Sequence, residues 1–187
     1  MPLTGQIVLY GGSFNPFHFG HQISCLWLTQ ALNAQEVIIV PTFDHPGKSN
    51  LIDFDRRLKM CELSVKPLKR VSVSDIERSL PVPSRTINLI DHYKCSNLVL
   101  AIGSDLIKEV EGWKQWDRIK SMAKIVVIGR NDFNNNEIPY ECYHYPVELS
   151  TISSSEIRKL ASKWEDITGL VPSRVRKYIE KNRLYNK

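Results

Sequence analysis

The stretch Tyr10-Gly11-Gly12-Ser13-Phe14-Asn15-Pro16-Phe17-His18-Phe19-Gly20-His21 brings three glycines, a serine hydroxyl, an amide and two imidazoles into one short segment. Glycines let a backbone approach a phosphate closely, and exposed amides at the start of a following helix favour an anion. His18 and His21 are three residues apart with Gly20 between them, so both rings can face one crevice. An imidazole can donate to a phosphoryl oxygen, and a protonated one offsets charge that develops during phosphoryl or nucleotidyl transfer. Metal binding is weakly supported, because two histidines lack a third ligand and the H-E-x-x-H spacing. The structural alternative is a Gly-rich turn with a helix-capping histidine.

A second constellation is Ser153-Ser154-Ser155-Glu156-Ile157-Arg158. Ser153 and Glu156 fit a capping box. Ser154, Ser155 and Arg158 then cluster at the positive end of a helix, where hydroxyls, amides and a guanidinium suit a triphosphate; a capped surface helix is the plainer alternative. A third stretch, Pro41-Thr42-Phe43-Asp44-His45-Pro46-Gly47-Lys48-Ser49, ends like a Walker A loop, but the required first glycine falls at Thr42 and the motif fails. Lys48 still reaches a phosphate or is a solvated loop lysine. In Ile102-Gly103-Ser104-Asp105, the aspartate can accept from a ribose hydroxyl and Trp113 can stack on a flat ring. A cap at Ser104 and core tryptophans are the alternatives, and Trp116 is read as core.

These residues need a scaffold, and the chain alternates short β-rich runs with amphipathic helical segments. Strands are predicted at Ile7–Tyr10, ahead of a Gly-Gly turn, and at Glu36–Pro41, Val71–Ser74, Asn97–Ile102, Lys124–Gly129 and Cys142–Pro146. Helices are predicted from Phe19 to Asn33, with Ile23, Leu26, Trp27 and Ala31 on one face, then over Asp53–Val65 and Ser84–Tyr93 and along the spacing of Trp113, Trp116, Ile119 and Ala123. Two more open at Ser153 and at Pro172, where proline suits a first helical turn. Several strands are unbroken apolar runs, as in sheets covered on both faces. The expected fold is a doubly wound, Rossmann-like α/β domain with a parallel sheet and a small C-terminal helical part. In this reading residues 1–150 are the α/β core and 151–187 the C-terminal helices. Asn131–Glu141 is the best loop candidate.

Length and composition agree. The chain has 187 residues, 42% hydrophobic and 24% charged, which fits one globular domain and excludes fibrous and disordered classes. No apolar run approaches the roughly 20 residues of a spanning helix, so no membrane partner is expected. The start, Met1-Pro2-Leu3-Thr4-Gly5-Gln6, shows no secretory leader, and the cytosol is the expected compartment. Cys25, Cys61, Cys95 and Cys142 form no C-x-x-C pair and read as buried free thiols. The net charge of +5 lies wholly in the last 38 residues, with nine basic and four acidic side chains. Without interleaved aromatics this reads as a solvated helical face, and no nucleic-acid partner is expected.

Together these motifs resemble the H-x-G-H nucleotidyltransferase superfamily, and within it the bacterial nicotinate mononucleotide adenylyltransferases. The likeness runs from Gly11-Gly12-Ser13-Phe14-Asn15-Pro16 and His18-Phe19-Gly20-His21 through Arg56-Arg57-Leu58-Lys59-Met60, Ser84-Arg85-Thr86 and Trp113-Lys114-Gln115-Trp116 to the ending Leu170-Val171-Pro172…Leu184-Tyr185. It implies AMP transfer from ATP to a pyridine mononucleotide by direct attack on the α-phosphorus, with no covalent enzyme intermediate, and Mg²⁺ held by the phosphates without direct protein ligands. Nicotinate mononucleotide is the implied acceptor; nicotinamide mononucleotide, or a non-catalytic nucleotide-binding module, is the alternative. By the same resemblance His18, His21, Lys48 and Arg158 would be catalytic. Gly11, Gly12, Ser13, Phe14, His18, His21, Gly103, Asp105, Arg130, Ser153, Ser154 and Arg158 would bind ATP, with residues 151–187 completing that site. Asn15, Lys48, Arg56, Thr86 and Trp113 would bind the mononucleotide. Three positions depart clearly from the family pattern: Gly47 replaces the histidine of Pro-His-Lys, Arg85 the tyrosine of Ser-Tyr-Thr, and Lys114 a common aromatic; Ser13 and Asn15 differ slightly, standing where threonine and aspartate are commoner.

Overall fold

A computed structural model describes residues 2–129, 143–145 and 152–186. Its strands are β1 (Ile7–Gly12), β2 (Glu36–Pro41), β3 (Val71–Val73), β4 (Leu98–Gly103), β5 (Lys124–Ile128) and β6 (Tyr143–Tyr145). They form one sheet in the order β3-β2-β1-β4-β5-β6, with every neighbouring pair parallel. The winding reverses between β1 and β4, so the crevice beyond the carboxyl ends of those strands is where such a sheet binds ligands. The doubly wound expectation holds.

Side chains of a strand alternate between its faces. Val8, Tyr10, Val99, Ala101, Val126 and Ile128 enter one core, covered by α1 (Phe19–Leu26) with its π-helical continuation Trp27–Ala31 and by α2 (Phe54–Val65). Leu9, Leu98, Leu100, Ile102, Ile125 and Val127 enter the other, under α3 (Thr86–Tyr93), α4 (Ile107–Val110) and α5 (Trp116–Met122). Full burial of a Val, Leu or Ile side chain contributes roughly 1.5–3 kcal/mol. With both faces covered no position on these central strands is left for a polar side chain, which explains the unbroken apolar runs.

Several local expectations are corrected. Gly11 and Gly12 belong to β1, paired with Val40 and Pro41, and the chain turns instead at Phe14, whose φ is 46°. The first helix buries a different face: Ile23 and Leu26 are each 39% exposed, while His21, Ser24, Cys25 and Leu28 are buried. Ser24 and Thr29 can be inside because their hydroxyls donate to Gly20 O at 3.0 Å and Cys25 O at 2.9 Å, which removes the cost of a buried polar group. Ser84 and Arg85 precede α3, with Arg85 as its cap. Trp113 likewise precedes α5, where it packs edge-on against the buried Trp116 at 6.0 Å. Arg130, Asn131–Glu141 and Cys142 lie outside the described residues.

The C-terminal helices α6 (Ser154–Ser162) and α7 (Ser173–Lys181) build a third core from Ile157, Ala161, Ile167, Val171, Val175, Ile179 and Leu184. Met60 of α2 joins them, and Phe19 N donates to Leu170 O at 3.0 Å, so this unit is fastened both to α2 and to the start of α1. Pro172 caps α7 rather than opening its first turn. Cys25 and Cys61 are buried free thiols, and burial pushes both above the usual thiol range. Cys95 is also free but half-buried. Among the described residues no helix is long and apolar enough to cross a membrane.

Candidate active site

Beyond the ends of β1 and β4 lies a cavity of about 450 Å³, within the size range of small-molecule sites. Gly11, Gly12 and Ser13 form part of its floor, the segment from Thr42 to Lys48 one side, and Thr86, Trp113 and Lys114 another. A Cβ on Gly11 would meet nothing within 4 Å, so bare backbone faces open space there. At Gly12 a Cβ would stand 3.0 Å from the Phe14 ring, so glycine lets the turn fold back on the strand.

Phe14 packs with Tyr10, Phe17 and His21, and His18 stacks on His21 with ring centroids 3.7 Å apart. His18 occupies the N-cap of α1, and its backbone N–H donates to His21 Nδ1 at 3.2 Å. That bond leaves the neutral His21 proton on Nε2. The two imidazoles lie together as expected, but they are 1% and 9% exposed and sit behind the loop rather than on the cavity wall.

The loop they support is held from four directions. From α6, Arg158 Nη1 donates to Asn15 O at 2.8 Å and the Ser154 hydroxyl to Pro16 O at 3.0 Å. From the C-terminal end, the Tyr185 hydroxyl donates to Asn15 Oδ1 at 3.0 Å, and burial pushes that phenol well above its usual pKa, so it stays a donor. From α2, the fully buried Arg57 donates to Ser13 O at 2.9 Å and to Ile52 O at 3.0 Å. Burial pulls its guanidinium pKa below the ordinary value. Lys48 Nζ reaches Ser13 Oγ at 3.1 Å from the cavity side.

On the cavity's other side Glu77 is buried, and that burial raises its carboxyl pKa above the ordinary 4.5 despite hydrogen bonds from Ser84 and the Phe43 amide. Ser84 Oγ also accepts from Asp44 N at 3.1 Å, and Ser84 N donates to Asp44 O at 2.9 Å. This network pins the segment that carries His45 and Lys48.

Comparison with known proteins agrees with the geometry. Residues 9–160 match the cytidylyltransferase-like family. A curated protein of Anaeromyxobacter dehalogenans, named as a probable nicotinate-nucleotide adenylyltransferase, is 36% identical over 96% of each chain. One from Fusobacterium nucleatum with the same name is 36% identical over 94% of this chain and 97% of its own. The chain belongs to the nicotinate-nucleotide adenylyltransferase family. The Plasmodium falciparum nicotinic acid mononucleotide adenylyltransferase, solved in complex with NaAD, shares the fold at a TM-score of 0.80 with 24% identity, covering 96% of this chain and 97% of that one.

Within this adenylyltransferase-family scaffold the structure sorts the expected site residues. Gly11, Gly12, Ser13, Lys48, Thr86 and Trp113 line the cavity, and so do the three departures Gly47, Arg85 and Lys114. Phe14, His18, His21, Ser154 and Arg158 gather behind or beside the first loop. Ser153 caps α6, its Oγ accepting from Glu156 N at 3.1 Å. Asp105 lies on the first turn after β4, folded against Gly103, where a Cβ would run into its carboxylate. The cap of that turn is Gly103 rather than Ser104. Asn15 and Arg56 are not on the cavity wall: Asn15 is 2% exposed, and Arg56 Nη1 donates to Asn182 Oδ1 at 3.1 Å. The guanidinium that braces the site is Arg57. Its signal was in the helix period, because Arg57, Met60, Cys61 and Ser64 share the buried face of α2. Glu77 and His45 carried no comparable local signal.

Proposed function

We propose that this protein transfers AMP from ATP to nicotinate mononucleotide, giving deamido-NAD and pyrophosphate. The observation that carries the reading is the docking of Ser154 and Arg158 onto the Asn15–Pro16 turn beside a cavity at the sheet's switch point. An oxygen of the mononucleotide phosphate attacks the α-phosphorus of ATP, and the bond to the β-phosphate oxygen breaks. This chain then has two tasks, alignment of two phosphates and stabilisation of the charge that builds between them. His18, His21, Lys48 and Arg158 are the groups we assign to that charge, with Gly11, Gly12 and Ser13 supplying close backbone and Gly103 and Asp105 facing the adenosine. Thr86 and Trp113 would hold the pyridine side.

Among the described residues no three His, Cys, Asp or Glu side chains are grouped to hold a metal ion. The donors around the loop are cationic or neutral and would hold phosphate oxygens; Mg²⁺ bound to those phosphates would neutralise part of their charge. We also propose that residues 151–187 complete the ATP site, and we keep the cytosolic reading from the sequence.

Arg85 and Lys114 on the cavity wall favour the nicotinate carboxylate over the amide. The deciding experiment is pyrophosphate release from ATP and Mg²⁺ with each mononucleotide in turn, the product identified by mass. Deamido-NAD formed faster than NAD is expected. No dinucleotide from either acceptor would overturn the assignment. In the double variant Arg85→Gln/Lys114→Gln, the nicotinate-to-nicotinamide ratio of kcat/KM should fall by about tenfold or more, the scale of a lost charge-assisted hydrogen bond.

A further inference from the structure

Position 47, where the family pattern carries an imidazole, is glycine here, yet an imidazole still lines the cavity. It belongs to His45, half-buried and two residues earlier. Its ring lies over Gly47: a Cβ there would stand 3.7 Å from His45 Cε1 and 3.8 Å from Nδ1. The Gly47 N–H donates to His45 Nδ1 at 3.0 Å. An Nδ1 that accepts cannot carry a proton, so the neutral ring holds its single N–H at Nε2. Burial and the neighbouring Lys48 lower the imidazole pKa, outweighing the opposite pulls of Glu109 and of a backbone hydrogen bond, and so favour the neutral ring. The segment is itself anchored, through the Phe43 and Asp44 contacts to Glu77 and Ser84 and through Thr42 N to Gly12 O at 2.9 Å. His45 is thus a pre-set donor beside the Lys48 cation and the Gly11–Ser13 backbone, surroundings that select an anionic oxygen.

We propose that His45 is a substrate-binding residue whose Nε2–H donates to a phosphate oxygen in the cavity, supplying from position 45 the imidazole that position 47 lacks. This rests on the adenylyl-transfer reading above. Two isosteric variants separate a substrate contact from a loop-shaping role. His45→Asn keeps an acceptor where Nδ1 stood but loses the distal donor, whereas His45→Gln keeps a distal N–H and loses the near acceptor. His45→Asn should lower kcat/KM roughly 10- to 100-fold, as expected for a lost hydrogen bond to a charged group, with His45→Gln remaining within about threefold of wild type. In a His45→Ala background, Gly47→His should recover about tenfold or more of the lost activity, because the His45 ring that lies within 4 Å of a Cβ at 47 has then been removed.

Wild-type activity in His45→Asn, with or without a loss in His45→Gln, overturns the proposal. So does loss in both single variants without recovery in the double variant. Each comparison is made against a wild-type chain that forms deamido-NAD; a wild-type chain that forms no dinucleotide fails the function reading itself, and the proposal falls with it.

Discussion

Arg158 shows how little of a side chain's job is visible in its type. Its guanidinium meets the Asn15 carbonyl and the Ser155 hydroxyl, so it both carries charge to the loop and holds the loop's shape. Arg158→Ala should lower kcat/KM by about 100-fold or more, since a positioned cation and the alignment it maintains are lost together. Circular dichroism should show an unchanged fold, because this half-buried residue sits at the edge of the third core. Tyr185→Phe removes one hydroxyl and leaves buried Asn15 Oδ1 without its donor, a cost of roughly 1–3 kcal/mol read from urea unfolding. The paired motifs of both loops were legible from the sequence. The choice between Arg56 and Arg57 was open only to helix periodicity, and Tyr185 belonged to the family-like ending without announcing its contact, because its partner lies 170 residues away.

At the scale of elements, the segment after β2 is held by the short helix Ile76–Ser79 through Glu77. The Glu77 pKa is raised by burial, so the folded protein keeps a proton that the unfolded chain has already released. The protonated form is therefore the stabilising one. Its contribution is complete below the ordinary 4.5 and is lost as pH rises through the higher folded value. Glu77→Gln keeps a neutral acceptor at every pH, so its melting temperature relative to wild type should rise across that interval; a constant difference from pH 4 to pH 8 would show that the carboxylate is not penalised. Arg57→Met should destabilise by about 3 kcal/mol, from two carbonyls left without their donor. Element types and order were readable because apolar runs, caps and helical spacing are local signals. The buried face of α1 was not, since Ser24 and Thr29 turn inward once their hydroxyls bond the helix's own carbonyls.

Across the whole molecule, the first loop joins two of three cores: Phe14 and Phe17 enter one face of the sheet, and Ser154, Arg158 and Tyr185 reach the loop from the C-terminal unit. The sheet supplies two and the C-terminal helices the third, with Met60 as one fastening. Ile157 is fully buried one residue before Arg158. Ile157→Ala should cost roughly 2–5 kcal/mol in urea unfolding, the range for an emptied core position, and activity should fall with it because α6 loses its seat. A chain ending before Ile152 should form no dinucleotide, since Ser154, Arg158 and Tyr185 leave the loop together. By itself, the sequence determined a doubly wound parallel sheet, the places of the two phosphate-facing motifs and the reaction class they imply, all carried by short-range pattern. Tertiary structure alone decided that Arg57 meets the Ser13 carbonyl and that the glycines extend β1. It also set His45 against Gly47 inside the cavity and locked residues 154 and 158 onto residues 15 and 16. Locks of that kind depend on contacts up to 170 residues apart, which no local periodicity encodes.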